Sequence, residues 1–242
     1  KGTGDKLYMY TSDLAPIAEI RGTFGVDKGR KRIDCSNKFP EYTCAAYFTD
    51  WLKSKGLTCT KGAADTKFRN EWMATESTDS LIIIGTTSSA ELERIIHATN
   101  HASNNLYAET IFRTLGKAIS GSATYASSAS ALESAIRKMG VDTSKGIYIK
   151  DGSGLSRQNL VSSDFFCRFL EAMMHSPAFE AYVESLPSPG DNGTLKFNMK
   201  SYPEELRSRI KVKSGSMNGI RCYSGYIIPT EGTKEETIIF SI

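Results

Sequence analysis

The chain has 242 residues, 40% of them hydrophobic and 24% charged, with a formal net charge of +3. This is the balance of an ordinary globular protein with one large or two small domains. Lys and Arg are interspersed with Asp and Glu rather than gathered in a basic stripe, which argues against nucleic acid as a partner. No apolar run approaches the roughly 20 residues of a transmembrane segment.

Residues 1–85 read as α+β. Strands are expected at Leu7–Tyr10, Ile17–Phe24, Arg32–Cys35 and Leu81–Ile84, with a polar loop over Asp65–Asp79. A helix is expected from Pro40 to Lys55, with Ala45, Phe48 and Leu52 on one face and Gly56 at its end. The character changes near residue 86. Ser88 followed by Glu91 has capping-box spacing, and Leu92, Ile95, Ile96 and Thr99 form a helical stripe. A second stripe, Tyr107, Ile111, Phe112 and Leu115, follows at once. Between them, His101-Ala102-Ser103-Asn104-Asn105 predicts a helix–loop–helix corner, because Ser and Asn favour caps and turns. Further helices are expected from Ser127 to Met139 and from a cap at Ser163 or Asp164. Ile147–Ile149 reads as a short strand. The chain closes on three strands, Ile210–Lys213, Tyr223–Ile228 and Thr237–Ile242, with Asn218-Gly219 in the first connection. Short connections of this kind make an antiparallel meander. Helices followed by an antiparallel sheet give an α+β architecture over 86–242.

The five cysteines are widely spaced and contain no CxxC, which argues against a zinc site. One bridge within Cys35, Cys44 and Cys59 would suit an oxidising compartment; five buried thiols is the plainer expectation. His97 and His101 have helical ligand spacing but lack a third ligand nearby. With His175 they read as surface or helix-end residues.

Three short segments carry chemistry. In Lys213-Ser214-Gly215, at a strand end, the lysine is a fixed positive charge, the hydroxyl can bind a carboxylate, and the glycine allows close approach of substrate to the backbone. Read alone, it is equally a solvated lysine, a serine and a turn glycine. Ser103-Asn104-Asn105 supplies a hydroxyl that can relay a proton and an amide that can hold a carbonyl. Asp151-Gly152-Ser153-Gly154-Leu155-Ser156-Arg157-Gln158-Asn159 is the third segment.

Together, and in this order, they resemble the SxN, D-x-SGLSR-x-N and K(T/S)G segments of the low-molecular-mass, class C penicillin-binding proteins, which are D-alanyl-D-alanine carboxypeptidases/endopeptidases. Ser214 stands where the family usually has Thr, and the hydroxyl is kept. The resemblance covers 86–242 closely. It covers 1–85 more loosely, through Ile20-Arg21-Gly22-Thr23, as part of an inserted accessory domain. It implies a penicillin-binding/serine β-lactamase-like domain without its N-terminal portion and last helix. It also implies an acyl-enzyme mechanism on peptidoglycan stem peptides, trapping by β-lactam antibiotics, no cofactor or metal, and an exported, periplasmic or envelope location.

By the same resemblance Ser103 relays a proton and Asn105 holds the acyl side. Lys213 and Ser214 bind the terminal carboxylate beside Gly215. The Ser216 backbone N–H contributes to an oxyanion hole, and Arg157 and Met217 line the side-chain pocket. The family's SxxK nucleophile has no convincing match. Ser208-Arg209-Ile210-Lys211 comes after SxN, and Thr58-Cys59-Thr60-Lys61 lies in the presumed insertion. The nucleophile is therefore expected upstream of Lys1. A non-catalytic wall-binding or scaffold protein that keeps the fold is the alternative.

Overall fold

A computed structural model describes residues 2, 4–11, 17–33, 35, 37, 39–60, 62–63, 86–233 and 236–242. It falls into two compact units, Lys1–Thr86 and Thr87–Ile242. The expected strand Leu81–Ile84 and loop Asp65–Asp79 lie outside the described residues.

In the first unit, β1 (Asp5–Thr11) pairs antiparallel with β2 (Ala18–Phe24), with Leu7 opposite Gly22. Helix α1 (Pro40–Ser54) opens on a proline in its first turn, where a missing N–H costs nothing. The face carrying Ala45, Phe48 and Leu52 contains no buried residue, and Phe48 is 48% exposed. The strand expected at Arg32–Cys35 is not formed: Arg32, Ile33 and Cys35 are irregular chain.

The second unit holds α2 (Leu92–Ala102), α3 (Asn105–Ser120) and α4 (Tyr125–Lys138), then a two-residue ribbon of β3 (Ile147–Tyr148) and β4 (Leu160–Val161). Next come α5 (Ser163–Met174), α6 (Phe179–Ser185), α7 (Glu204–Ser208) and the meander β5 (Ile210–Met217), β6 (Ile220–Ile227) and β7 (Ile238–Ser241). Ser88 does not cap α2. Glu91 is itself the N-cap, and its carbonyl accepts the first helical bond from Ile95, so it cannot sit three residues into the helix. The cap of α5 is Ser162, one residue before the expected position, with its Oγ accepting from Phe165 N. Thr124 caps α4 in the same way through Ser127 N. At the hairpin, Met217 faces Ile220 across Asn218-Gly219, and Gly219 takes φ +84°, a conformation such two-residue turns demand.

One core cluster joins Leu170 and Met174 of α5, Phe179 of α6, Leu186 and Tyr226 of β6. A second joins Ile136, Val141 and Phe165. Tyr226 is fully buried, meets Phe179 edge-on at 5.4 Å, and donates its hydroxyl to Leu170 O at 2.8 Å. Tyr226→Phe is expected to cost about 1 kcal/mol, the net worth of one buried hydrogen bond, read as a lower urea midpoint at unchanged slope.

None of the five cysteines is buried. Cys35, Cys44 and Cys222 are exposed, Cys59 and Cys167 are half-buried, and all are free thiols. The expectation of buried thiols fails because α1, which carries Cys44, packs no buried face, and β6 presents Cys222 near the end of a hairpin. No helix among the described residues is long and apolar enough to cross a membrane.

Candidate active site

The corner between α2 and α3 is built by backbone economy. Ser103 ends α2 in the left-handed conformation (φ 50°, ψ 50°), a state that costs a non-glycine residue about 1 kcal/mol. Asn104 N–H then reaches back to Thr99 O at 3.0 Å, and the Asn104 side chain caps α3 by accepting from Tyr107 N. The turn holds Ser103 between two helices with its hydroxyl free to face another element.

That element is β5. Lys213 Nζ donates to Ser103 Oγ at 2.9 Å and to Ser214 O at 2.6 Å. Burial holds the Lys213 ammonium below its ordinary value of 10.5, opposed by the nearby Cys222 thiol. An ammonium that donates to the serine oxygen leaves that serine's own proton to be given elsewhere. This is the geometry of a proton relay at a fixed positive charge.

A third wall comes from the irregular segment 186–203. Pro187 O accepts from Val212 N on the outer edge of β5 at 3.0 Å. Asp191 folds the segment back by accepting from Ser188 N. Gly193 sits against α2: an added Cβ would lie 2.2 Å from His101 O, and its φ of +122° suits only glycine. The next residue, Thr194, donates its N–H to that same His101 carbonyl at 3.3 Å, and its Oγ1 accepts from Ser214 Oγ at 3.3 Å. A closed circuit results. Ser103 is tied to Lys213, Lys213 adjoins Ser214, Ser214 is tied to Thr194, and Thr194 returns to α2 two residues before Ser103.

The circuit encloses a groove of about 420 Å³, within the range of small-ligand sites. Ser103, Ser214, Gly215 and Ser216 line it, joined by Thr194, Leu195 and Asn198 from the third wall and by Arg221 and Tyr223 from β6.

The Asp151–Asn159 segment forms a self-satisfied loop beside this corner. Asp151 accepts from the N–H groups of Gly154 and Ser156 and from Asn159 Nδ2, while Asn159 Oδ1 accepts from Lys150 N at 2.7 Å. The loop docks on α3 through Glu109, whose carboxylate accepts from Gly152 N, Ser153 N and Ser153 Oγ. Gly152 makes this approach feasible, since a Cβ there would lie 2.4 Å from Phe112 Cβ.

The expected site residues therefore divide. Ser103, Lys213, Ser214, Gly215 and Ser216 come together. Asn105 opens α3 and Met217 ends β5, and neither lines the groove. Arg157 is exposed on the loop that Glu109 anchors and also lies outside the lining. Ser208 ends α7 with its hydroxyl bonded to Glu205 O, and so does not open a helix as a nucleophile would. Glu109, Thr194 and Arg221 escaped the motif reading. The only sequence signal for Thr194 is the turn-forming Asp191-Asn192-Gly193 before it, and for Glu109 a charge among the apolar positions of α3.

His97 and His101 stack at 4.0 Å between ring centroids rather than converging on an ion. Burial and His97 lower the pKa of His101, partly offset by Asp191. Among the described residues no group of three or more His, Cys, Asp or Glu is arranged to hold a metal.

A Lys-Ser-Gly edge strand facing a Ser-x-Asn corner between helices defines the class of active-site-serine, penicillin-recognising domains. The model of the D-Ala-D-Ala carboxypeptidase 3 (S13) family matches residues 16–242, and the chain belongs to that family. Among its relatives, a D-alanyl-D-alanine carboxypeptidase of an Actinomadura species is 30% identical over 233 residues, covering 94% of this chain and 39% of the relative. A penicillin-sensitive carboxypeptidase A of Dictyostelium discoideum is 31% identical over 163 residues, 64% of this chain and 30% of the relative. The chain thus spans well under half the length of these relatives. The crystal structure of penicillin binding protein 4 from Haemophilus influenzae shares the fold at a TM-score of 0.55, with 23% identity over 61% of this chain and 32% of that one.

Proposed function

We propose that the full-length protein is a serine-type D-Ala-D-Ala carboxypeptidase/endopeptidase that cleaves peptidoglycan stem peptides through an acyl-enzyme and is trapped by β-lactams. The carrying observation is the 2.9 Å bond from Lys213 Nζ to Ser103 Oγ at the head of the groove. In this reading a nucleophilic serine, supplied by protein outside residues 1–242, attacks the penultimate D-Ala carbonyl. Ser103 hands a proton to the departing D-Ala amine, and Lys213 holds that hydroxyl while adding positive potential. The Ser214 hydroxyl takes the terminal carboxylate, Gly215 lets the peptide lie close to β5, and Ser216 N–H stabilises the oxyanion. Asn105, exposed at the first turn of α3 outside the groove's lining, holds the acyl side beyond the groove in this reading. Water then resolves the ester.

Residues 1–85 belong to an accessory domain in this reading. Peptidoglycan lies beyond the cytoplasmic membrane, so the protein is exported to the envelope. Mass spectrometry of the full-length protein after benzylpenicillin tests this. The expected result is one covalent adduct on a serine together with release of D-alanine from a Lys-D-Ala-D-Ala peptide. A protein that takes up no adduct and releases no D-alanine is a scaffold instead.

A further inference from the structure

The charge that receives the substrate carboxylate has to face the same way as the hydroxyl that receives it. Side chains alternate along a strand. Lys213 and Ser214 therefore leave β5 on opposite faces, and the Lys213 ammonium is already engaged with Ser103 Oγ and Ser214 O. The pairing of β5 with β6 sets Ser214 opposite Tyr223 and Ser216 opposite Arg221, so these four side chains share one face. Cross-strand partners stand about 5 Å apart at Cβ, which puts the Arg221 guanidinium within reach of both serines.

Arg221 is exposed, lines the groove, and has no ion-pair partner among the described residues. Its neighbours around the groove are hydroxyls and an amide, Ser214, Ser216, Thr194 and Asn198, with no acidic side chain. An unpaired guanidinium beside a row of hydroxyls, with no carboxylate to neutralise it, is a site for a carboxylate ligand.

We infer that Arg221, rather than Lys213, is the cation that anchors the C-terminal carboxylate of the peptide substrate, with Ser214 and Ser216 as its hydroxyl partners. This rests on the carboxypeptidase reading and sharpens it. Lys213 serves the proton relay, Arg221 selects peptides with a free C-terminus, and the Ser214 hydroxyl swings its one proton from Thr194 to the carboxylate when the peptide binds.

The test is an equilibrium titration, followed by NMR, of the full-length protein with N-acetyl-D-alanyl-D-alanine and with its C-terminal amide. Wild type, Arg221→Ala and Arg221→Lys are compared, and D-alanine release and penicillin labelling are run in parallel. Wild type is expected to prefer the acid by roughly 10- to 100-fold, the range of one charged hydrogen-bonded contact. Arg221→Ala should lose most of that preference while binding the amide as before, and Arg221→Lys should keep part of it. A preference left intact in Arg221→Ala, an equal loss for acid and amide, or a wild type indifferent to the carboxylate overturns the inference. Because the titration reads binding and the parallel assays read chemistry, a wild type that neither labels nor releases D-alanine sinks the acyl-enzyme reading separately.

Discussion

Lys213→Ala in the full-length protein is expected to slow penicillin acylation and D-alanine release by roughly 10²- to 10³-fold, the range lost with one proton-transfer or electrostatic group. The side chain donates to Ser103 Oγ at 2.9 Å, so its removal takes away both the charge and the hold on the relay hydroxyl. The loss should fall on the acylation rate far more than on peptide affinity, which the groove's other walls maintain. The pH dependence has a defined sign. Burial lowers the Lys213 pKa from 10.5, so the lysine loses its proton earlier on the way up in pH than a solvated one. Acylation should therefore decline along an alkaline limb that starts below the ordinary lysine range, and that limb should vanish in Lys213→Ala. A stopped-flow pH profile of both proteins checks this. A limb unchanged by the substitution would assign it to another group.

Glu109→Ala is expected to cost about 2–4 kcal/mol of stability, the largest structural effect foreseen for one side chain here. Its carboxylate accepts from two backbone N–H groups, those of Gly152 and Ser153, and from Ser153 Oγ. Truncation leaves those donors facing a helix surface into which Gly152 already packs closely. Glu109→Gln keeps one oxygen and should lose about half as much. Urea denaturation of the three proteins gives the ranking. Since α3 begins at the Ser103 corner, catalytic loss should accompany the fall in stability. Equal midpoints for Glu109→Ala and wild type would show that water replaces the carboxylate at no cost.

Local chemistry was legible in the chain wherever a residue acts on its immediate neighbours. Asn218-Gly219 marked its hairpin, Ser103-Asn104-Asn105 its corner, and the apolar spacing of Ile111, Phe112 and Leu115 the helix between. A local signal also misled. Ser88 and Glu91 have capping-box spacing, yet Glu91 takes the cap position itself. The short α6 and α7 and the two-residue β4 carry too little periodicity to stand out. They are held by tertiary packing, as Phe179 of α6 is by Tyr226. Arg157 is exposed because a motif does not fix which way its loop turns, and Met217 misses the groove because it ends β5 on the Lys213 face, three residues beyond Ser214.

The order Ser103, Asp151–Asn159, Lys213-Ser214-Gly215 was thus determined by sequence alone. With it came the chemical class, through the resemblance of the three segments together to the class C penicillin-binding proteins. The structure, by carrying β5 past Lys213 to Met217, decided that Lys213 and Ser214 face apart. Which groups meet them was decided only in three dimensions. Glu109 binds a loop more than 40 residues away, Thr194 reaches Ser214 across 20, and β6 brings Arg221 onto the Ser214 face. Such contacts depend on how helices and strands approach one another, and side-chain patterning along a chain records which face is buried but not which partner covers it.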